Sequence, residues 1–93
     1  MQTNMTQHAR ARLQQRGIPQ AVLDSLLDYG REEHDHRGSA VLYFDHRARS
    51  KLLQACGEST YRRMESHLDA YAVIGMDGAI VTVGHRTRRI NHD

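Results

Sequence analysis

Histidine and arginine gather directly after the last apolar stretch of the chain, residues 80–83. His85 and Arg86 come first, and Arg88 and Arg89 follow. Histidine titrates near neutral pH and can transfer protons, whereas arginine binds phosphate oxygens through paired N–H groups. RNA cleavage without a metal needs such a proton-transfer group beside cations that stabilise the phosphorane charge. We therefore predict a phosphate-directed site with His85 and Arg86 as catalytic residues, and with Arg88 and Arg89 binding substrate.

A second set of polar residues lies near the start of the chain. His8 becomes the second catalytic histidine if the first helix abuts the last strand, and Arg12 follows it by one helical turn. Arg12 and Arg16 are predicted to bind substrate phosphate. Tyr71 is predicted to stack on substrate or to transfer a proton, and Tyr43 is a second tyrosine suited to that role.

Two other interpretations of the histidines stay open. In a structural role, His85 is a strand-end residue hydrogen-bonded to the N-terminal helix, with His8 as its partner. In a metal site, His34 and His36 lie on one strand face and His46 approaches across the hairpin, but zinc usually takes three or four such ligands. A polar edge strand explains these histidines equally well. We predict neither a metal nor a cofactor.

Composition narrows the class of protein. The 93 residues are 39% hydrophobic with a net charge of +2 and a mean hydropathy of −0.70, which fits one domain with a modest core. No apolar run is long enough to span a membrane. Cys56 is the single cysteine and has no intrachain partner, which indicates a reducing, cytoplasmic setting. No acid precedes Asp24, and arginines cluster at both ends, so two basic termini flank a nearly neutral middle.

Periodicity and turn residues predict the elements. Helices are expected where apolar residues recur at helical spacing, and strands where β-branched and aromatic residues alternate. The predicted order is two helices, a hairpin, two helices and a second hairpin. This is an α+β domain over residues 1–93, with two N-terminal helices on one face of a small antiparallel sheet and a helical insertion between two hairpins. The predicted helices are 7–16, 19–29, 47–56 and 58–67, and the predicted strands are 32–36, 40–44, 71–74 and 80–83.

The second hairpin is predicted from Asp77-Gly78, which tolerates the positive φ of a two-residue turn. Such a turn pairs Ile74 with Val81. It also pairs Ala72 with Val83 and Ala70 with His85. His85 and Arg86 then point to opposite faces unless a bulge forms near Gly84, where glycine inside a strand often marks one.

The segment His8–Ile18, HARARLQQRGI, resembles the opening of a bacterial family of small domains of unknown function, family 4258. Members resemble the pattern H-x-x-x-R-x-x-x-R-G-I, followed by a helix that ends in a pair like Tyr29-Gly30. The closing strand 80–83 and the basic tail 85–89 are similar to the family's end. Residues 47–68 match less well, and Pro19 departs from the expected polar helix start.

That family is similar to the fold of barnase, colicin RNases, EndoU and the RelE toxins. The resemblance implies an RelE-like domain in which two N-terminal helices pack on an antiparallel sheet and RNA is handled on the open sheet face. We expect a toxin-like domain that binds RNA or cleaves it without a metal. The alternative is a non-catalytic interaction domain with an antitoxin or other protein partner.

These two functions predict different surfaces. An RNA site requires the two basic ends to converge, with Arg12 near Arg86, because phosphate binding needs concentrated positive charge. A protein-binding role predicts an exposed apolar patch instead. The residues expected to form that patch are Leu52, Leu53, Tyr61 and Met64.

Overall fold

The computed structural model describes residues 4–35 and 37–86. The α+β class is confirmed, with two N-terminal helices before the sheet and a helix between its two hairpins. Across the described ranges, no helix combines the length and apolar character needed to cross a bilayer. The elements are α1 (Gln7–Gln15), α2 (Gln20–Tyr29), β1 (Arg31–His34), β2 (Ala40–Tyr43), α3 (His46–Met64), a 3₁₀ turn (Glu65–His67), β3 (Ala70–Ile74) and β4 (Ile80–His85).

Capping residues and glycines set the helix ends. The Thr6 hydroxyl accepts the Ala9 N–H at 3.1 Å at the start of α1, and the Asp45 carboxylate accepts the Ala48 N–H at 2.8 Å at the start of α3. Each cap satisfies one backbone donor that the helix leaves free. Gly57, with φ 85° and ψ 163°, interrupts α3. The two helices predicted in this region are therefore two segments of α3 separated at Gly57.

The four strands form an antiparallel sheet in the order β1-β2-β3-β4. The predicted pairs Ala72–Val83 and Ala70–His85 are confirmed. The predicted two-residue turn is wrong, because the Gly75 N–H donates to the Ala79 carbonyl at 2.8 Å. The loop between them therefore contains Met76, Asp77 and Gly78.

A bulge restores the predicted register beyond the turn. Ile74 pairs with Ile80 rather than with Val81, and the register shifts before Val73, which pairs with Thr82. Val81 is the extra residue, so the bulge lies at the start of β4 and not near Gly84. The turn is one residue longer than predicted, and the bulge adds one residue to β4. The two changes in register cancel, so the rest of β4 keeps its predicted pairing and alternation.

The sheet has two distinct faces, because side chains alternate along each strand. One face packs under the helices and is buried, and we call it the helix face. The side chains of the other face stay partly exposed, and we call it the open face. The helix face carries Ala40, Leu42, Ala70, Ala72, Ile80 and Val83, and the open face carries Val41, Tyr43, Tyr71, Val73 and Thr82.

The core lies between the helix face and the helices. Helix α2 packs over β2 and β3, α1 packs on β4, and α3 packs on α2. Fully buried side chains come from every helix, and each large one stabilises the fold by about 1.5–3 kcal/mol through apolar burial. They include Ala9 of α1, Val22, Leu23 and Leu26 of α2, and Leu52 of α3.

The segment before α1 extends the sheet at its β4 edge. The Thr6 N–H donates to the Ile80 carbonyl at 2.9 Å, and the Ile80 N–H donates to the Asn4 carbonyl at 2.8 Å. This parallel bridge places the first turn of α1 at the start of β4. Helix α1 then follows the direction of β4, so its C-terminal end lies beside the end of the strand, where His85 is found.

Candidate nucleic-acid interface

A row of aligned residues crosses the open face near the end of β4. Arg31 pairs with Tyr43 across β1 and β2, Tyr43 pairs with Tyr71 across β2 and β3, and Tyr71 pairs with Gly84 across β3 and β4. Residues paired across neighbouring strands place their side chains side by side. The register therefore brings two tyrosines and an arginine together on one surface.

Arg86 adds a second cation to this row. Its backbone N–H donates to the Asp69 carbonyl at 2.8 Å, which continues the β4 ladder by one step. Its guanidinium carbon lies 3.9 Å from the centre of the Tyr43 ring. A guanidinium so close to an aromatic face is attracted by the ring quadrupole. The stack fixes Arg86 on the open face as a planar, cationic surface.

Tyr71 lies across Gly84 on the same face. A Cβ atom at position 84 would approach Tyr71 Cε1 to 3.0 Å and its hydroxyl oxygen to 3.1 Å. A side chain at this position would therefore push the ring away. Glycine at position 84 lets the tyrosine ring lie close above the β4 backbone without such a shift.

Acidic residues hold the β1 end of the row in place. The Tyr43 hydroxyl donates to Glu33 Oε2 at 2.9 Å. Arg31 lies 3.5 Å from that same Glu33 oxygen and 3.3 Å from Asp45 Oδ2. Contacts therefore run without interruption from Arg86 through Tyr43 and Glu33 to Arg31, and from there to Asp45 at the start of α3.

These contacts shift three pKa values. The hydrogen bond to Asp45 raises the pKa of the Arg31 guanidinium, and the charge of Glu33 adds to this. Burial raises the pKa of the Tyr43 hydroxyl, and the hydrogen bond to Glu33 raises it further. Burial alone would raise the pKa of Asp45, but the Ala48 N–H and Arg31 together outweigh it and lower that pKa. At neutral pH, Tyr43 is therefore a protonated donor beside charged Arg31 and Asp45.

His85 lies on the opposite face of the sheet from Arg86. Its Nδ1 lies 2.6 Å from Asp69 Oδ1, and its Nε2 lies 3.1 Å from the Arg16 carbonyl oxygen. Both ring nitrogens therefore already contact an oxygen atom of the protein. The ring of His67 is the aromatic neighbour, at 6.3 Å between centroids. These contacts connect the end of β4 with Asp69, just before β3, and with Arg16, at the end of α1. They are typical of a structural role.

The remaining predicted residues of α1 lie in the helix layer. His8 is exposed in the first turn, and the helix rise places it about 12 Å before Arg16 along the axis. The contact of α1 with His85 is therefore the Arg16 carbonyl and not His8. Arg12 is partly buried, and its Nε is buried without a hydrogen-bond partner among the described residues.

The sheet thus separates the two basic groups that were expected to converge. Arg12 belongs to the helix layer, whereas the Arg86 guanidinium lies on the open face. Arg88 and Arg89 lie outside the described residues. Arg86 and Tyr71, two of the predicted site residues, both lie on the open face, where Tyr43 contacts Arg86 and pairs with Tyr71.

Two of the three histidines considered for a metal site, His34 and His46, belong to the described residues. His34 is exposed and lies 3.8 Å from Glu32, and His46 begins α3. His36 lies outside the described residues. Within the described ranges, no three histidine, cysteine or acidic side chains are grouped closely enough to hold a metal ion.

Sequence reasoning missed the roles of Arg31, Glu33 and Asp69. A signal for the first two was present. The turn at Arg37-Gly38 implies a β1–β2 hairpin, and alternation places Arg31 and Glu33 on the same face of it. The register was not predictable from the turn, because a two-residue turn there would pair Arg31 with Phe44 rather than with Tyr43. Asp69 had no such signal, because only the meeting of β3 with the end of β4 brings it to His85.

Comparison of the chain with protein-family models, with curated proteins and with solved structures found no match. The resemblance to family 4258 therefore stays a prediction, and the site is interpreted from its geometry alone.

Proposed function

We propose that the protein binds single-stranded RNA on the open face of its sheet. This surface differs from the site of two converging basic ends that the sequence predicted, because Arg12 and Arg86 lie on different faces. The observation that carries this proposal is the stack of the Arg86 guanidinium on the Tyr43 ring, with Tyr71 in the adjacent strand. Splayed RNA bases stack on aromatic rings and on guanidinium planes. This surface offers both kinds of plane on partly exposed residues. Among residues 4–35 and 37–86, Arg86 has no acidic partner within ion-pair distance, so its charge can attract a neighbouring phosphate.

RNA cleavage is the narrower form of the proposal, because the same surface holds groups for each step. Glu33 takes the proton of a 2′-hydroxyl, and that oxygen forms a bond to phosphorus as the bond to the 5′ oxygen breaks. Tyr43 donates its proton to the departing 5′ oxygen and regains one from Glu33 through their hydrogen bond at 2.9 Å. Arg86 stabilises the charge on the phosphorane. In this scheme His85 is a positioning residue for the end of β4.

The alternative of a protein-binding domain has less support. Of the four residues expected to form an apolar patch, Leu52 and Met64 are buried in the core and Tyr61 is partly buried against it. Leu53 is 39% exposed. A single exposed leucine is ordinary for a protein surface and does not indicate a docking site. The expectation of a toxin-like domain with an antitoxin partner is compatible with RNA binding, because one protein can bind both RNA and a protein partner.

Binding is tested by the fluorescence anisotropy of a short labelled single-stranded RNA at two salt concentrations. Arg86→Ala and Tyr71→Ala should each weaken binding about tenfold, since one base–aromatic stack contributes about 1–3 kcal/mol. Arg63→Ala is the matched control, because Arg63 is exposed on α3 and away from the open face. Equal affinity in all variants, or no binding by the wild type, contradicts the proposal.

Cleavage is tested by incubating ribosomal and naked RNA with the wild type and with Glu33→Gln. The carboxamide keeps the size of the side chain and can still accept the Tyr43 hydrogen bond, but it takes no proton. Loss of cleavage with retained binding supports the catalytic role. Cleavage by both proteins, or by neither, removes that role and leaves RNA binding to be judged by the anisotropy experiment.

A further inference from the structure

A pocket opens beside the open face, where α2, β1 and α3 meet. It lies between Tyr29 at the end of α2, Arg31 in β1 and the first turns of α3, which contribute Asp45, Arg47 and Lys51. Arg47 and Lys51 are four residues apart in α3, so they lie on the same side of the helix. The pocket is therefore lined by three cationic side chains from two elements.

Two acids, Glu32 and Asp45, also line the pocket, and Asp45 is held by its neighbours. Asp45 accepts the Ala48 N–H through Oδ1 and Arg31 through Oδ2, which engages both of its oxygens. Glu32 lies 3.8 Å from His34. Within the described part of the chain, Arg47 and Lys51 have no acidic partner within ion-pair distance, which leaves two cations facing the pocket. Such a site favours an anion, and phosphate oxygens match the donors of arginine and lysine.

Arg31 joins this pocket to the RNA surface. Its side chain contacts Glu33, which holds the Tyr43 hydroxyl, and it also contacts Asp45 in the wall of the pocket. Neighbouring strands lie about 4.8 Å apart, so one step across the sheet leads from the Tyr43–Arg86 stack to the pocket rim. The pocket rim is therefore within reach of a strand bound on the open face.

We propose that this pocket binds a backbone phosphate of the same RNA strand whose bases stack on the open face. The inference rests on the proposed function, because it identifies the ligand as RNA rather than as a free anion. Arg47 and Lys51 are the phosphate-binding groups. Arg31 and Asp45 form the wall, with the Asp45 charge offset by Arg31.

The first experiment measures RNA affinity of the Arg47→Ala/Lys51→Ala double variant. Both side chains are exposed, so the variant should keep the wild-type melting temperature. We expect binding about tenfold weaker and a shallower dependence of affinity on salt, because fewer counterions are released from the RNA. The control is Arg62→Ala/Arg63→Ala, which removes two cations from the second segment of the same helix and should bind like the wild type.

The second experiment titrates the wild type and the Arg47→Ala/Lys51→Ala variant with inorganic phosphate and follows backbone amide NMR signals of residues 45–51. Shifts that saturate in the wild type and vanish in the variant support the pocket. Wild-type RNA affinity in the variant, or no phosphate-induced shifts, overturns the inference even if Arg86→Ala abolishes RNA binding. Phosphate binding without any RNA binding would instead contradict the proposed function and the assignment of RNA as the ligand, leaving only an anion site.

Discussion

His85 and Arg86 are consecutive residues of the same strand end, yet they have opposite environments. His85 faces the helices, and its two ring nitrogens contact Asp69 and the Arg16 carbonyl. Arg86 faces the open side and stacks on Tyr43. On the helix face, the polar atoms of His85 contact other elements of the fold and hold them together. On the open face, polar groups are held by a neighbour but remain accessible to a ligand.

We therefore expect the two faces to contribute to different properties, the helix face to the stability of the fold and the open face to RNA binding. A substitution on the helix face should mainly change the free energy of unfolding, and one on the open face should mainly change RNA affinity. Four pairs of substitutions test the separation, and they are matched as closely as the chain allows.

The largest difference is expected between Leu42→Ala and Val41→Ala, at adjacent positions of β2. Leu42 is buried on the helix face, whereas Val41 lies partly exposed on the open face. Truncation of Leu42 leaves a cavity and should cost about 2–5 kcal/mol. Truncation of Val41 should cost less than about 1 kcal/mol, the range of strand preference. Urea unfolding measures both values. Similar losses for the two variants would show that the open face is covered in solution.

The second test sets His85→Ala against Arg86→Ala. Loss of the two hydrogen bonds of His85 should cost about 1–2 kcal/mol of stability, with RNA affinity nearly unchanged. Loss of the exposed Arg86–Tyr43 stack should cost less than about 1 kcal/mol, but RNA should bind about tenfold more weakly. Urea unfolding and anisotropy are measured on the same samples. A folded His85→Ala protein that binds RNA normally but no longer cleaves it would show that cleavage, and not binding, depends on His85.

Alternation along the strands made much of the fold predictable. The turn residues and β-branched runs predicted both hairpins, and the pairs Ala72–Val83 and Ala70–His85 are as expected. The bulge at Val81 was not predictable, because Val81 is flanked by residues that suit a regular strand. Its position follows from the loop that Gly75 and Ala79 close, a long-range consequence of turn geometry rather than of local preference.

The candidate site was less predictable, since its contacts join residues distant in the sequence. The hydrogen bond between His85 and Arg16 spans 69 positions, and it depends on how the end of α1 docks beside β4. The number of arginines near each terminus predicted that both segments are basic. It did not predict on which face of the sheet their side chains lie. Arg12 and Arg86 therefore share a basic character without sharing a surface.

The third test concerns Gly84, which pairs with Tyr71. Gly84→Ala adds a methyl group 3.0 Å from Tyr71 Cε1, which is tighter than an ordinary contact. Because the ring is partly exposed and can turn away, the cost should be at the low end for overpacking, about 1 kcal/mol. RNA affinity should fall with it, since the shifted Tyr71 ring is less well placed to stack on a base. In a Tyr71→Ala background, Gly84→Ala should have little further effect on either quantity. An equal effect in both backgrounds would mean that Tyr71 does not lie on Gly84.

The smallest effect is expected at Asp45, whose carboxylate contacts both layers, the Ala48 N–H in α3 and Arg31 beside the open face. Asparagine caps a helix about as well as aspartate. Asp45→Asn should therefore lose only the ion pair, about 0.2–1 kcal/mol, whereas Asp45→Ala should lose about 1 kcal/mol more with the cap.

The Asp45 pKa is lowered in the folded protein. Its charge therefore stabilises the fold above its unfolded pKa of about 3.9, and this contribution is lost as pH falls through the lower folded value. The difference in unfolding free energy between the wild type and Asp45→Asn should be constant near neutral pH. It should disappear in strong acid, while Asp45→Ala stays less stable than Asp45→Asn at every pH. A wild-type advantage over Asp45→Asn that persists undiminished in strong acid would mean that packing, and not the charge on Asp45, separates the two proteins.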